Sequence, residues 1–356
     1  MGFKSWIKEQ IVLKAIDKKR KSTPFDLTEA ELHQLPQTED KLINNSYYFG
    51  GNSTDGHSLI FRIAYRCYGC EVFVLYTREG KFYTIDKQAF ARGEEPIRLT
   101  CLEPGKRWRL EFDGILQDNA TGELLPSRFD VTYTATLPPF HAMYHACFIG
   151  MARAFAREKW TKEFFAEAMS SDMGTDKSPE SKKNQQHHYE QTGRFSGTIE
   201  IGGQSCPVEM TAIRDHSFGK RDWNYMHDHI WLMAMTDAGE ALNFSIVNYP
   251  RLKRIFVGYT NIGLDHNVSL KDYKLLEYDH NNGLGTDRIV VECLFTDGRR
   301  LLVKAQRKEN VVTPFDNGNY YFQEGIADYD ISGVKARGTI EYGFNGDSSR
   351  WDKYID

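Results

Sequence analysis

The sequence has almost no excess of either charge: 45 Lys and Arg stand against 49 Asp and Glu in 356 residues, a formal net of −4. A phosphate-binding surface needs a basic excess, so no nucleic-acid partner is expected. Cysteine is sparse as well. Of Cys67, Cys70, Cys101, Cys147, Cys206 and Cys293, only the first two share a C-x-x-C spacing, and no second pair completes a zinc ribbon. "CYGC" falls between two apparent strands, a hairpin position and not the helix start of a redox motif. Reduced thiols and a cytoplasmic location are the expectation.

No run is apolar enough to span a membrane. The opening "MGFKSWIKEQIVLKAIDKKRKS" is broken by Lys4, Lys8, Glu9 and Lys14, so it lacks a signal-peptide core. Trp6 stands where a myristoylation signal has Ser or Thr. The patterns G-x-x-x-x-G-K-S/T, G-x-S-x-G and H-E-x-x-H are all missing, which argues against nucleotide-dependent, serine-hydrolase and zinc-protease chemistry. No cofactor is expected.

What is there is core material: 40% hydrophobic and 13% aromatic residues, enough for one large or two medium domains. Phe3, Trp6, Ile7, Ile11 and Leu13 gather roughly along one side of an N-terminal helix among lysines. Such a helix packs on its own domain or makes peripheral contact with a membrane surface. From about residue 46 the pattern alternates with period two. In "HSLIFRIAYR", His57, Leu59, Phe61, Ile63 and Tyr65 point one way and Arg62 and Arg66 the other, as in a strand with one wet face. Pro138-Pro139 ends this region. Phe140, Tyr144, Phe148, Met151 and Phe155 then follow helical spacing in one helix or two short ones. A polar stretch, "SSDMGTDKSPESKKNQQ", reads as a linker. Hairpins resume, with turns at Gly202-Gly203, Asp237-Ala238-Gly239 and Asp297-Gly298, and "KARGTIEYGF" forms the last strand. Many short strands with regular turn signals make the fold class mostly β, with a barrel or sandwich in each of two β-rich halves joined by a helical segment. The expected divisions are an N-terminal helical segment over 1–40, a first β domain over 41–138, a bridge and linker over 139–190, and a second β domain over 191–356.

Charge concentrates at "RDHSFGKRDW" (214–223), between two segments that look like interior strands. Alternation puts Arg214 with His216 on one face and Asp215 with Ser217 on the other. In the next strand His229, Trp231, Met233 and Met235 share a face, and Ile230, Leu232 and Ala234 share the opposite one. Two readings stay open. Arg214 or Arg221 pairs with Asp215 or Asp222 in a strand-end ion network, or Asp215 and His216 face an apolar pocket that makes a carboxyl a usable acid.

The segments "HHYEQTGRFSGTIEIGG" (187–203), "RDHSFGKRDW" and "GTIEYGF" (338–344) resemble a two-domain lipocalin-like family. That family is related to the carotenoid 1,2-hydratases (hydroxyneurosporene synthases) and to kievitone-hydratase-like and Diels–Alderase proteins. The resemblance spans about residues 40–345 and implies a mostly-β fold of two lipocalin-like (calycin-type) antiparallel β-barrels in tandem with a helical bridge. It departs from the bacterial pattern at Phe218, where tryptophan is usual, and in its longer helix at 140–170. It implies acid-started chemistry on a C=C bond, with Asp215 and His216 as the catalytic candidates. Trp223, Tyr225, His229, Trp231 and Met233 are candidates for substrate contact by position. Arg214, Lys220, Arg221, Asp222 and Glu341 would form the supporting ions, with Glu341 as counter-ion of Arg214 or Arg221. His188, Glu190 and Gln191 would cap the linker or close the pocket from its other end. Two histidine pairs, His141 with His145 and His227 with His229, offer two ligands each where a metal site takes three or four, so no metal is expected. The expected function is a cofactor-independent hydration, isomerisation or cyclisation of an isoprenoid, polyketide or lipid. The alternative is a non-catalytic lipid or pigment carrier with its ligand in a barrel lumen. A ligand-free scaffold would instead fill its barrels with side chains.

Overall fold

The computed structural model describes residues 3–22, 25–34, 38–53, 55–164, 186–278 and 285–351. The first sheet is built from β1 (Ile43–Asn52), β2 (Ser58–Arg66), β3 (Gly69–Arg78), β4 (Lys81–Ile85), β5 (Ala89–Phe90), β6 (Ile97–Glu103), β7 (Arg107–Asp118), β8 (Leu124–Ala135), β9 (Phe140–His141), β10 (His187–Ile201) and β11 (Gln204–Lys220). The ring runs β11-β1-β2-β3-β4-β7-β8-β10 and closes through β10 with β11, giving eight antiparallel strands. The second closed barrel takes β12 (Asp228–Met235), β13 (Ala241–Asn248), β14 (Ile255–Thr260), β15 (Val268–Tyr278), β16 (Arg288–Phe295), β17 (Arg300–Phe315), β18 (Tyr320–Ile331) and β19 (Val334–Asn345) in chain order. The mostly-β tandem barrel architecture is the expected one.

The division between the barrels is not where the sequence suggested. The hairpin 187–220 pairs through β10 with β8 and through β11 with β1, so it completes the first barrel. The second barrel therefore begins after Lys220, not at 191. The hairpin itself forms as expected: Gly202 and Gly203 have φ of +57° and +79°, and a two-residue turn matching strand twist needs both positive.

Both barrel interiors are packed. Alternate residues of β1 and β2 (Phe49, Leu59, Phe61) point into the first, and Ile230, Leu232 and Ile340 into the second. The opposite face of β2 is not wet, because the second barrel covers it. Every residue of β2 but Tyr65 is buried. In the seam, Tyr48, Ile60 and Phe73 meet Trp231, Met233 and Ile326.

Helices attached to this frame include α1 (Phe3–Ser22), α2 (Leu27–Glu31), α3 (Ala142–His145) and α4 (Ile149–Arg157), and residues 162–164 are also helical. The helical stretch expected at 140–170 is thus broken into short helical pieces within the described residues, and the polar stretch at 170–185 lies outside them. The C-terminal end of α2 sits at the mouth of the first barrel. There Glu31 accepts hydrogen bonds from the Trp108 indole (2.8 Å), the Tyr189 hydroxyl (2.6 Å) and the Gly105 N–H (3.1 Å), and pairs with Arg214 at 2.8 Å. No helix among the described residues is long and apolar enough to cross a membrane.

Candidate active site between the barrels

Strand register builds the site. Across the outer face of the first barrel, Glu190, Asp215, Tyr48 and Arg62 stand side by side on β10, β11, β1 and β2. Across the second, Glu324, Glu341, Trp231 and Ser245 stand side by side on β18, β19, β12 and β13. Cross-strand neighbours on one face lie within side-chain reach, so each barrel presents a row of polar and aromatic groups. The two rows meet. Arg62 reaches Glu324 at 2.9 Å and Glu341 at 3.4 Å, and the Tyr48 and Trp231 rings lie 5.2 Å apart.

Beside this junction the seam opens into a cavity of about 280 Å³. Asp215, His188, Arg62 and Glu341 are among its polar walls. Trp223, Trp231, Tyr225, Phe322 and Ile255 are among its apolar ones, and Met143, Phe148 and Met151 of the helical bridge cover it. Gly150 allows this cover to approach: a Cβ there would lie 2.0 Å from the Phe256 ring.

Two charged clusters face the cavity. In the first, His188 Nε2 lies 2.5 Å from Asp215 Oδ2 and 3.4 Å from Glu190 Oε1. Burial alone would lower the imidazole, but Asp215 and Glu190 reverse this and push it up to about 10. His188 is therefore an imidazolium, while burial raises the Glu190 carboxyl. The three groups' ligand atoms lie within 4.8 Å of one another, a spacing that would also suit a metal ion.

In the second cluster burial raises both Glu324 and Glu341, Glu324 strongly so. The neighbouring Glu341 charge adds to this in Glu324. Arg62 opposes the shift. His229 donates from Nε2 to Glu341 Oε1 at 2.7 Å and accepts the Tyr320 hydroxyl at Nδ1 (2.9 Å). Burial, helped by Arg62, lowers His229 to about 3, so the ring is neutral. Glu341 of this raised pair lines the aromatic cavity.

The sequence candidates divide across this geometry. Asp215, Trp223, Tyr225, His229 and Trp231 line the cavity. Met233 does not; it is buried in the seam. His216, expected beside Asp215, is one strand position away and so on the other face. It lies between the Tyr189 hydroxyl (2.7 Å) and Asn45 Oδ1 (2.8 Å), stacked on Tyr47, with burial holding it well below its usual range. Arg214 shares that inward face and pairs with Glu31 and Gln191 (2.9 Å). The ion network expected within the decapeptide does not form. Lys220 pairs with Asp40 at 3.1 Å, Asp222 accepts N–H groups of Asn224 and Tyr225, and Arg221 donates to Ser217 at 2.7 Å beside the cavity. Glu341 pairs with Arg62 and His229, not with Arg214.

His188 lines the cavity with Glu190 beside it, whereas Gln191 faces the first barrel's mouth, where its amide donates to Gly105 O and Leu137 O. Neither histidine pair faces a common ligand point. His145 Nδ1 accepts the His141 N–H (2.9 Å), and His227 bonds Lys253 at 3.0 Å. Arg62 and Glu324 were missed. The readable signal was a charge embedded in an otherwise apolar strand, "SLIFRIAYR".

The fold and this inter-barrel site define a tandem lipocalin-like protein whose cavity lies between its barrels. The chain belongs to the family described as domain of unknown function DUF7064, whose profile matches residues 28–346. Among solved structures, it is similar to an AttH-type protein from Nitrosomonas europaea, with 14% identity and a TM-score of 0.51 over 87% of this chain and 96% of that one. It is also similar to CghA, with 7% identity and a TM-score of 0.51 over 91% and 93%. Kievitone hydratase from Nectria haematococca aligns at 8% identity and a TM-score of 0.48 over 92% and 94%. At these identities the likeness is one of fold alone. The link to carotenoid 1,2-hydratases rests on the motifs alone. No curated protein matches the sequence.

Proposed function

We propose that the chain is an enzyme that transforms a C=C bond of an apolar substrate held between the barrels. The observation that carries this reading is the buried Glu324–Glu341 pair held by Arg62, with Glu341 at the wall of an aromatic cavity. Glu341 takes the acid role expected of Asp215, because it lines the cavity and burial raises both carboxyls of the pair. A proton held by Glu324 passes through Glu341, which lines the cavity, to one alkene carbon, leaving a carboxylate pair facing Arg62 and a cationic centre on the neighbouring carbon. The faces of Trp231, Trp223 and Phe322 attract that charge. Loss of an adjacent C–H proton to Asp215 completes an isomerisation. Attack by the substrate's own second double bond, followed by the same proton loss, completes a cyclisation. Addition of water with release of one proton completes a hydration. The resemblance to hydratases in the motifs supports the same class, and no step calls on a cofactor.

The apolar wall would serve a lipid or pigment carrier equally well. Native mass spectrometry with lipid extraction, followed by turnover assays on the ligand recovered, separates the two. An enzyme loses turnover in Glu341→Gln while retaining the ligand. A carrier shows no turnover in either form, and that result would overturn the enzymatic reading.

A further inference from the structure

Helix α1 has two working faces. Its inward face holds the bridge: Lys8 Nζ donates to Glu158 O (2.6 Å), Glu9 lies 4.0 Å from Arg153, and Arg20 donates to Met143 O (2.6 Å) and Ala146 O (2.5 Å) with its guanidinium over Phe148. Val12, Leu13 and Ile16 are half-buried on that side. The outward face is unusual. Phe3, Ile7, Ile11, Lys14, Lys18 and Lys21 follow steps of three and four residues, which is one line on a helix. Phe3 is 75% exposed, Trp6 51%, Ile11 50% and Ile7 38%, and the Phe3 and Trp6 rings stack at 6.1 Å. The apolar residues occupy the N-terminal half of the line and the lysines the C-terminal half, with Lys4 beside Phe3.

The helix carries seven basic residues and two acidic ones, a net of +5 (7 − 2), in a chain whose net is −4. Asp17 is the acidic residue exposed on it, and it pairs with Lys21 at 2.8 Å. Charge selects the occupant. A second copy would bring the same lysines together, whereas an anionic lipid surface complements them and accepts Phe3 and Trp6 among its acyl chains.

We propose that the outward face of α1 docks the protein in the plane of an anionic membrane. Phe3, Trp6, Ile7 and Ile11 enter the headgroup boundary, and Lys4, Lys14 and Lys18 engage lipid phosphates and carboxylates. The docked helix holds Met143 and Phe148, both part of the cavity's cover, through Arg20. Docking itself does not depend on what the cavity does.

Co-sedimentation of the full chain with phosphatidylcholine vesicles, with and without about one third phosphatidylserine, tests this. The wild type should pellet with the phosphatidylserine vesicles and be released by salt. Phe3→Ser/Trp6→Ser and Lys14→Glu/Lys18→Glu should each bind roughly tenfold more weakly or worse, with melting midpoints unchanged because these side chains are exposed. Absence of wild-type binding at low salt would overturn the proposal, as would equal binding by both variants. So would a concentration-dependent dimer in size-exclusion chromatography that Phe3→Ser/Trp6→Ser abolishes, since that assigns the face to a second copy.

Discussion

Arg62→Met removes the guanidinium that lies between the barrels and leaves Glu324 and Glu341 buried without it. Methionine keeps most of the stem volume, so the loss is chiefly electrostatic. Breaking a buried ion pair costs about 3–5 kcal/mol, and the cation lost from 3.9 Å above the Phe322 ring adds up to about 2 kcal/mol. The carboxyls answer by holding protons to a higher pH. A carboxyl whose folded pKa is raised binds more protons folded than unfolded, so stability falls as pH rises from about 4.5 through the folded value. Removing Arg62 extends that fall by one further proton at about 1.4 kcal/mol per pH unit. The destabilisation should therefore be larger near pH 8 than near pH 5.5, by up to about 3.5 kcal/mol for one proton over that interval. Urea unfolding at the two pH values measures it. Adding Glu324→Gln and Glu341→Gln should restore much of the loss, because a neutral network has no stranded charge. An equal loss at both pH values, or no rescue, would refute this account of the carboxyl pair.

Three further outcomes follow from the same geometry. His188, pushed up to about 10 by Asp215 and Glu190, should remain doubly protonated near pH 8 by ¹⁵N imidazole NMR, while His229 should be neutral down to about pH 5. The imidazolium's contribution to stability is then complete below about 6.5 and is lost as pH rises toward 10, and titration of His188 near 6.5 would contradict this. Gly150→Ala drives a methyl into the Phe256 ring and should destabilise the α4 cover by about 1–3 kcal/mol. Limited proteolysis would detect that as faster cleavage near 142–164 with little change in the global melt, and unchanged cleavage would count against the packing described. His216→Gln should cost stability at the mouth of the first barrel yet leave ligand retention in the cavity intact, measured by the same extraction; loss of ligand at an unchanged melting midpoint would return His216 to the site.

Local features were legible in the sequence. Turns at Gly202-Gly203 and Asp297-Gly298 and the period-two faces of 214–217 and 229–235 are set by neighbours a few residues apart, and the structure has them. Long-range pairing was not. β10 and β11 carry the same alternating pattern whichever barrel they join, and only their partners on β1 and β8 decide it. That choice also hid the site. Arg62 reads as a charge on a wet face until a second barrel covers that face. Glu324 reads as one polar residue in an ordinary strand until register sets it beside Glu341. Asp215 stood out because charge is dense around it, and alternation already set His216 on the opposite face, where the structure has it.

The central claim is that the Glu324–Glu341 pair delivers a proton to a carbon atom in the inter-barrel cavity. The direct measurement is incubation in D₂O with the co-purifying ligand, or with a panel of isoprenoid and polyketide alkenes, followed by mass spectrometry of the recovered molecules. The account predicts one carbon-bound deuterium per turnover with the wild type, and none with Glu341→Gln although the ligand still binds. Products free of carbon-bound deuterium from an active wild type, or equal labelling by the variant, would contradict it.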